Sequence, residues 1–301
     1  MRNLIFVAFI LFSCSDFSYS GKGQDIPTAG NLEIGFERGD SMLVMQWIEQ
    51  FHLNYPKSKI IPRFLNYNEL VEMFKSDSLP GIFLHGKFSD EEIEWFKQKR
   101  NATVNEIILG HGSVAFIANK NIPLEKITRK NIEEIYGLGD EPPVKYIALS
   151  SFKGVELKTI FDSAKSWTKL DVVKRTNKIF FKELGSDQKV IDFVMSNPKY
   201  IGLVSINSIA DRKDPLAIKN AKNIKVLKVE NANGKFHAPF QSQIKANQYP
   251  FSYPLISYEA QGYDGLMKGF VIFTNSQPGQ IILQKCGLVP FNPHGRRIEL
   301  Q

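Results

Sequence analysis

Apolar positions along the chain switch repeatedly between a spacing of two and a spacing of three or four, and each switch predicts a strand followed by a helix. Leu32-Glu33-Ile34-Gly35-Phe36 has the strand period. Past Glu37-Arg38-Gly39-Asp40 the spacing becomes helical, with Val44, Trp47, Ile48 and Phe51 on one face. Lys59 to Phe64 and Gly81 to His85 are the next strands. Asn66 and Glu69 stand at capping-box spacing for a helix to Lys75, and Ser89 and Glu92 repeat that signature before a helix with Ile93 and Phe96 on its apolar side. Such repeated alternation predicts an α/β fold with a largely parallel sheet.

The pattern then restarts. Gly112 to Asn119 is an apolar run that reads as a strand leaving the first unit, Ile127 to Tyr136 a short helix capped by Thr128, and Val144 to Leu149 a strand running into Ser150-Ser151-Phe152-Lys153-Gly154. The helix after it points Val155, Ile160 and Phe161 toward a core. Ser186 to Asn197 is a further helix with Val190, Phe193 and Val194 inward, and Tyr200 to Ile206 a buried strand. A second α/β unit therefore spans about residues 120–222. Ile224 to Val229 is again a strand. The prolines of Tyr249-Pro250-Phe251-Ser252-Tyr253-Pro254-Leu255 forbid a helix and suit an edge or crossing segment. Gly265 to Phe273 and Pro278 to Cys286 are helices, the second begun by Ser276 and stopped by Gly287.

The start of the chain follows a different logic. Arg2 precedes the unbroken apolar run Leu4 to Phe12, too short for a bilayer of roughly 30 Å but suited to the core of a signal peptide, so residues 1–13 are set apart from the fold. Leu11-Phe12-Ser13-Cys14 resembles the lipoprotein signal, in which the cysteine is acylated after cleavage; a cut after Ser18-Tyr19-Ser20 is the alternative. Either way the protein is exported to the periplasmic or cell-surface side of a bacterial envelope. Residues 14–31, rich in Ser, Gly, Asp and Gln, read as a tether. Cys286 is then the only thiol of the folded part, which rules out an intrachain disulfide and a cysteine metal cluster.

Composition narrows the function. The 301 residues, 43% hydrophobic and 23% charged, suffice for two globular domains and exclude disordered and collagenous chains. A net charge of +7 favours anionic partners. The basic clusters Lys97-Gln98-Lys99-Arg100, Lys219 to Lys228 and Arg296-Arg297 are dispersed and read as solvated faces, and export argues against nucleic acid. His52, His85, His111, His237 and His294 lack metal-ligand spacing, and no serine sits in a Gly-x-Ser-x-Gly elbow. The expectation is a protein that is not an enzyme, with no cofactor and no metal.

The order of pieces resembles the phosphate-type periplasmic solute-binding proteins of ABC importers. Val114-Ala115-Phe116-Ile117-Ala118-Asn119-Lys120-Asn121-Ile122-Pro123-Leu124, continuing through Ile127-Thr128 to Ile135-Tyr136-Gly137, is similar to that family's crossing strand, Asn-Pro-Leu turn and short helix. Tyr249-Pro250 with Tyr253-Pro254-Leu255 is similar to its return segment, with Tyr253 where Arg is often found. Ser276 to Pro290 is similar to its closing helix, and Ile201-Gly202-Leu203-Val204 to a buried strand. The resemblance implies a two-lobed type II fold with two crossing hinge strands: lobe 1 over 32–117 and 226–301, lobe 2 over 118–225. The ligand, phosphate or a related small oxyanion, would be clamped between the lobes for delivery to a transporter permease.

A metal-free oxyanion site needs convergent donors, which helix N-termini supply. Gly39-Asp40-Ser41 matches the family's first loop; Ser41 could donate, or Asp40 and Ser41 could simply cap the helix. Asn68, beside Tyr67, and His85-Gly86-Lys87 fall at the next two loops, where capping and packing are the competing roles. From lobe 2, Ser151, Lys153 and Gly154 align with the phosphate-gripping Arg-x-x-x-Ser-Gly-Thr loop. There Lys153 replaces Ser, Val155 replaces Thr, and no Arg precedes them. Gly110-His111-Gly112-Ser113 also departs from Gly-x-Asp-Gly, with Gly112 in place of Asp. These departures leave open another acidic ligand, or a structural, sensory or protein-interaction lipoprotein that displays exposed aromatics such as Trp95, Tyr258 or Tyr263.

Overall fold

The first alternations become strands with helices laid on the sheet in a computed structural model, which describes residues 25–100, 104–128, 147–149, 181–198, 200–260 and 262–291. β1 (Gly30–Glu37), α1 (Ser41–Asn54), β2 (Ser58–Leu65), α2 (Tyr67–Lys75), β3 (Gly81–His85) and α3 (Asp90–Arg100) follow one another, with a 3-10 turn, Arg38–Asp40, joining β1 to α1. The predicted face of α1 is buried along Leu43, Val44, Trp47, Ile48 and Phe51. At α2 the capping box is complete: Asn66 Oδ1 accepts the Glu69 N–H and the Glu69 carboxylate accepts the Asn66 N–H, both at 3.0 Å. Ser89 and Glu92 exchange the same pair of bonds before α3.

β4 (Asn105–Asn119) is the strand that organises the molecule. Its first part pairs antiparallel with β12 (Ser252–Glu259), and its second part pairs antiparallel with β8 (Ile201–Ser205), so one strand belongs to both halves of the sheet. The strand thus begins at Asn105, ahead of the predicted start at Gly112, and takes in Gly110 and His111. With β6 (Ile147–Leu149) and β7 (Phe181–Glu183), the order is β2-β1-β3-β12-β4-β8-β6-β7. β9 (Ile224–Val226) and β13 (Val289–Pro290) also pair with β4. β1, β2 and β3 run parallel, as do β8, β6 and β7, and the carboxyl ends of both groups approach the middle of β4.

Several expectations change. The proline segment does not end as an edge: β12 lies between β3 and β4. Pro254 is tolerated because its carbonyl accepts from Gly86 N–H past the last pair of β3, and its nitrogen faces that same side, where no ladder bond is needed. The run from Ile224 to Val229 is divided at Leu227, whose N–H donates to Phe116 O; the chain then enters β10 (Lys228–Glu230), which joins β5 (Lys126–Ile127) and β11 (Phe236–His237) in a small separate sheet. Ile127, expected to start a helix, is therefore in a strand, and 129–136 lie outside the described residues, as do 144–146 and the loop and helix from Ser150 onward.

The remaining helices are α4 (Asp187–Ser196), α5 (Asn207–Ala210), α6 (Pro215–Asn223), α7 (Gln241–Lys245), α8 (Leu266–Asn275) and α9 (Gln277–Lys285). Gly287, at φ +86°, ends α9 as predicted. Cys286 beside it is fully buried, and burial first, with nearby acids adding, pushes its thiol up to about 12, so it is not a nucleophile at neutral pH. No helix among the described residues is long and apolar enough to cross a membrane.

A continuous core links α1, α8 and β1 through β4 to α4. Trp47 is fully buried in it, with its indole N–H on the Gly279 carbonyl at 2.8 Å and its ring near Phe83. Trp47→Ala removes that volume and leaves the carbonyl unpaired, so a loss of about 3–5 kcal/mol is expected from the urea midpoint at unchanged m-value.

Candidate functional site

Strand ends from both halves of the sheet meet beside β4, and the residues there are polar yet buried. Glu37 ends β1, Asp40 ends the 3-10 turn, His85 ends β3 and Tyr253 begins β12; from the other half come Ser205 at the end of β8, Asn207 and Ser208 on α5, and Asp187 at the start of α4. In open α/β sheets this junction is where ligands bind.

His85 is the hub. Its Nε2 lies 2.5 Å from Asp40 Oδ2 and its Nδ1 lies 3.2 Å from Glu37 Oε2, while its backbone N–H donates to Glu37 Oε1 at 2.5 Å. Burial alone would lower the imidazole pKa; the Asp40 and Glu37 carboxylates outweigh it and raise the value well above 6.5, so the ring is held as a cation. Tyr253 stacks on that ring at 4.1 Å between centroids. The neighbouring Gly86 has φ +132°, a conformation that favours glycine, and lets the chain turn directly behind His85.

Contacts then cross between the halves. Asn207 Nδ2 donates to Asp40 Oδ1 at 2.9 Å, the Ser205 and Tyr253 hydroxyls share a hydrogen bond at 3.1 Å, and Gln46 Nε2 donates to Asp211 Oδ2 at 3.0 Å. Asp187 Oδ2 accepts from the Ser205 N–H at 2.9 Å and the Ser208 hydroxyl at 2.6 Å, whereas Asp187 Oδ1 is buried with no hydrogen-bond partner among the described residues. Burial, above all, pushes Asp187 up to about 7; Asp40 adds to the rise, and the two hydrogen bonds and His85 oppose it. The Ser113 hydroxyl on β4 is likewise buried with no partner among the described residues. Among the described residues no group of His, Cys, Asp and Glu is arranged to hold a metal ion.

Of the expected site residues, Gly39, Asp40, His85 and Gly86 are buried at this seam, and Ser41 is half-buried on the first turn of α1. Asp40 occupies the N-cap position, but its carboxylate makes no capping bond; it turns to His85 and Asn207 instead. Asn68 is exposed on α2, where Asn66 is the cap, and the Tyr67 hydroxyl donates to Glu92. Lys87 is exposed and pairs with Glu106 at 3.1 Å. Ser151, Lys153, Gly154 and Cys14 lie outside the described residues. Tyr258, considered above as an exposed aromatic, is buried against Phe88.

Two of the sequence departures turn out to be one feature. Tyr253 stands opposite Gly112 across β12 and β4, and a Cβ at Gly112 would lie 2.6 Å from the tyrosine ring. An aromatic ring thus lies over a glycine here and reaches Ser205. Glu37, Asp187, Ser205 and Asn207 carry no sequence signal of their role, since each reads as an ordinary strand end, cap or helix residue.

A continuous strand shared by two sheet halves, with buried polar residues at the seam, defines the class of two-lobed binding proteins with the type II fold. Residues 27–277 match the PBP superfamily domain, and the chain belongs to that family. Its fold is similar to that of a protein from Clostridium perfringens, assigned as a phosphate ABC transporter substrate-binding protein and solved with bound phosphate: TM-score 0.66 at 15% identity, covering 87% of this chain and 100% of that one. An ABC-type phosphate transport receptor from Vibrio cholerae has TM-score 0.60 at 13% identity over 87% and 100% of the two chains. PstS from Borrelia burgdorferi has TM-score 0.53 at 16% identity over 87% and 99%. No curated protein matches the sequence.

Proposed function

We propose that the protein is an extracytoplasmic solute-binding protein that captures a small oxyanion between its lobes for an ABC importer, with phosphate as the first candidate. The observation that carries this reading is at the seam: one buried anionic group, the Asp40 carboxylate, receives His85 from one half and Asn207 from the other. Donors from both lobes converging on one anion are what a ligand-closed cleft requires, because only a group touching both lobes favours the closed state. The fold shared with phosphate receptors and the net charge of +7 support it. In this reading the lobes are 32–117 with 226–301, and 118–225. Gly39, Asp40, Ser41, His85 and Gly86 would bind from lobe 1, with Asn68 and Lys87 outside the seam, and Ser151, Lys153 and Gly154 would close from lobe 2. Cleavage before Cys14 and its acylation would hold the chain to the membrane through the tether.

The seam also favours a second reading. Asp40, His85 and Tyr253 already satisfy one another and are 0–2% exposed, as an interaction protein that has given up its solute would be. Titration calorimetry of the purified chain with phosphate, sulfate, molybdate and phosphorylated sugars separates the two. Saturable binding of any of these anions is expected, and silence across the panel would leave the protein-interaction role.

A further inference from the structure

A buried carboxylate is held here as a bound anion would be. Asp40 is 1% exposed, receives a charged ring N–H from His85 at 2.5 Å on one oxygen and an amide N–H from Asn207 at 2.9 Å on the other, and makes no capping bond to its own helix. Its donors come from opposite sides of the seam. A group that only fixed the start of α1 would direct its carboxylate to the backbone N–H groups of that first turn, and Asp40 does not. Glu37 faces the same ring from the Nδ1 side, with Oε2 at 3.2 Å. What Asp40 alone supplies is the bridge from His85 to Asn207.

We propose that Asp40 is a built-in occupant of the anion site: its carboxylate fills the His85 Nε2 and Asn207 Nδ2 donor pair, keeps the lobes together without a ligand, and must be displaced by an incoming small oxyanion. This deepens the solute-binding reading and rests on it only for the last step. Because the competitor is attached to the site, it acts at a high effective concentration and weakens the apparent affinity for solute. The class of ligand follows from the donors: a compact oxyanion of one or two charges with two oxygens free to accept.

The test compares wild type, Asp40→Ala and Asp40→Asn as full chains, with acetate and phosphate as probes and chloride at matched ionic strength as control. Asp40→Ala vacates a space the size of formate or acetate, so acetate should raise its melting temperature saturably. Asp40→Asn keeps the space filled, and acetate should leave it and the wild type unchanged. Loss of a negative charge alone would help any anion equally in both variants; an acetate response confined to Asp40→Ala marks a vacated site. Phosphate should bind Asp40→Ala at least about tenfold more tightly than wild type. A folded Asp40→Ala that ignores both anions overturns the proposal. If wild type is silent to phosphate, sulfate, molybdate and phosphorylated sugars alike while Asp40→Ala answers to acetate, the internal occupant stands and the solute reading fails. Should Asp40→Ala not fold, Asp40→Asn carries the test: its weaker neutral occupant should admit phosphate about threefold more tightly than wild type, a gain lost in the Asp40→Asn, Asn207→Ala double variant. Equal affinity in Asp40→Asn and wild type, or a gain that survives in the double variant, overturns the proposal.

Discussion

Replacing His85 by Ala is expected to cost about 3–5 kcal/mol of folding stability at pH 7, because it leaves Glu37 and Asp40 as two buried carboxylates without the cation between them. The stacking on Tyr253 is lost as well. The sign of the pH dependence distinguishes this from a plain cavity. In the wild type the folded imidazole pKa is raised above 6.5, so its contribution is fully present below that value and is lost as pH rises through the raised folded value. His85→Ala lacks that contribution, so the deficit should be fully present below about 6.5 and shrink as the pH rises through the raised folded value. Urea midpoints measured across that range check it; a deficit that does not change with pH would mean that packing, not charge, is what His85 contributes.

Asp187→Asn is expected to act in the opposite direction. The folded acid at about 7 keeps a proton that the unfolded chain, near 3.8, gives up, so this group lowers stability as pH rises from about 4 to about 7 and adds no further change above. At about 1.4 kcal/mol per unit the effect amounts to at most about 4 kcal/mol. The amide oxygen can accept from the Ser205 N–H and the Ser208 hydroxyl as the carboxylate does, without a charge to desolvate. Asp187→Asn should therefore flatten the fall in stability over that window and melt above wild type at pH 7, read by scanning calorimetry at several pH values. A slope unchanged by the substitution would show that Asp187 titrates normally in the folded chain.

Both predictions concern a network that no stretch of sequence announces. Glu37 and Asp40, His85, and Asp187 with Asn207 come from three distant stretches of the chain, and each has an ordinary local reading: the ends of two strands, a turn, a helix start and a short helix. They become a cluster only because β1, β3 and β8 all stop beside the middle of β4. Sequence spacing did locate two of them, Asp40 and His85, since the loop after a strand that feeds a helix is where donors collect in this architecture. It could not say that the two would bind each other. Lys87 in the loop after β3 and Asn68 in the first turn of α2 read as equivalent positions in the sequence and yet face solvent, because position along the chain fixes the neighbourhood but not the direction of the side chain.

Local order was far more legible. The α1 face, the two capping boxes, the stop at Gly287 and the burial of Cys286 follow from residue chemistry within a few positions, and the alternation of periods set the α/β class. Pairings between distant segments were not available in that way. Whether Pro254 lies at an edge, and which ring covers Gly112, depend on where β12 is inserted and in what register, which long-range packing decides. The chain by itself determined its elements and their order, through side-chain period and capping. Only the tertiary structure decided that two neighbouring carboxylates would share one distant histidine at the seam, because hydrogen bonds between strands carry no mark in the sequences that make them.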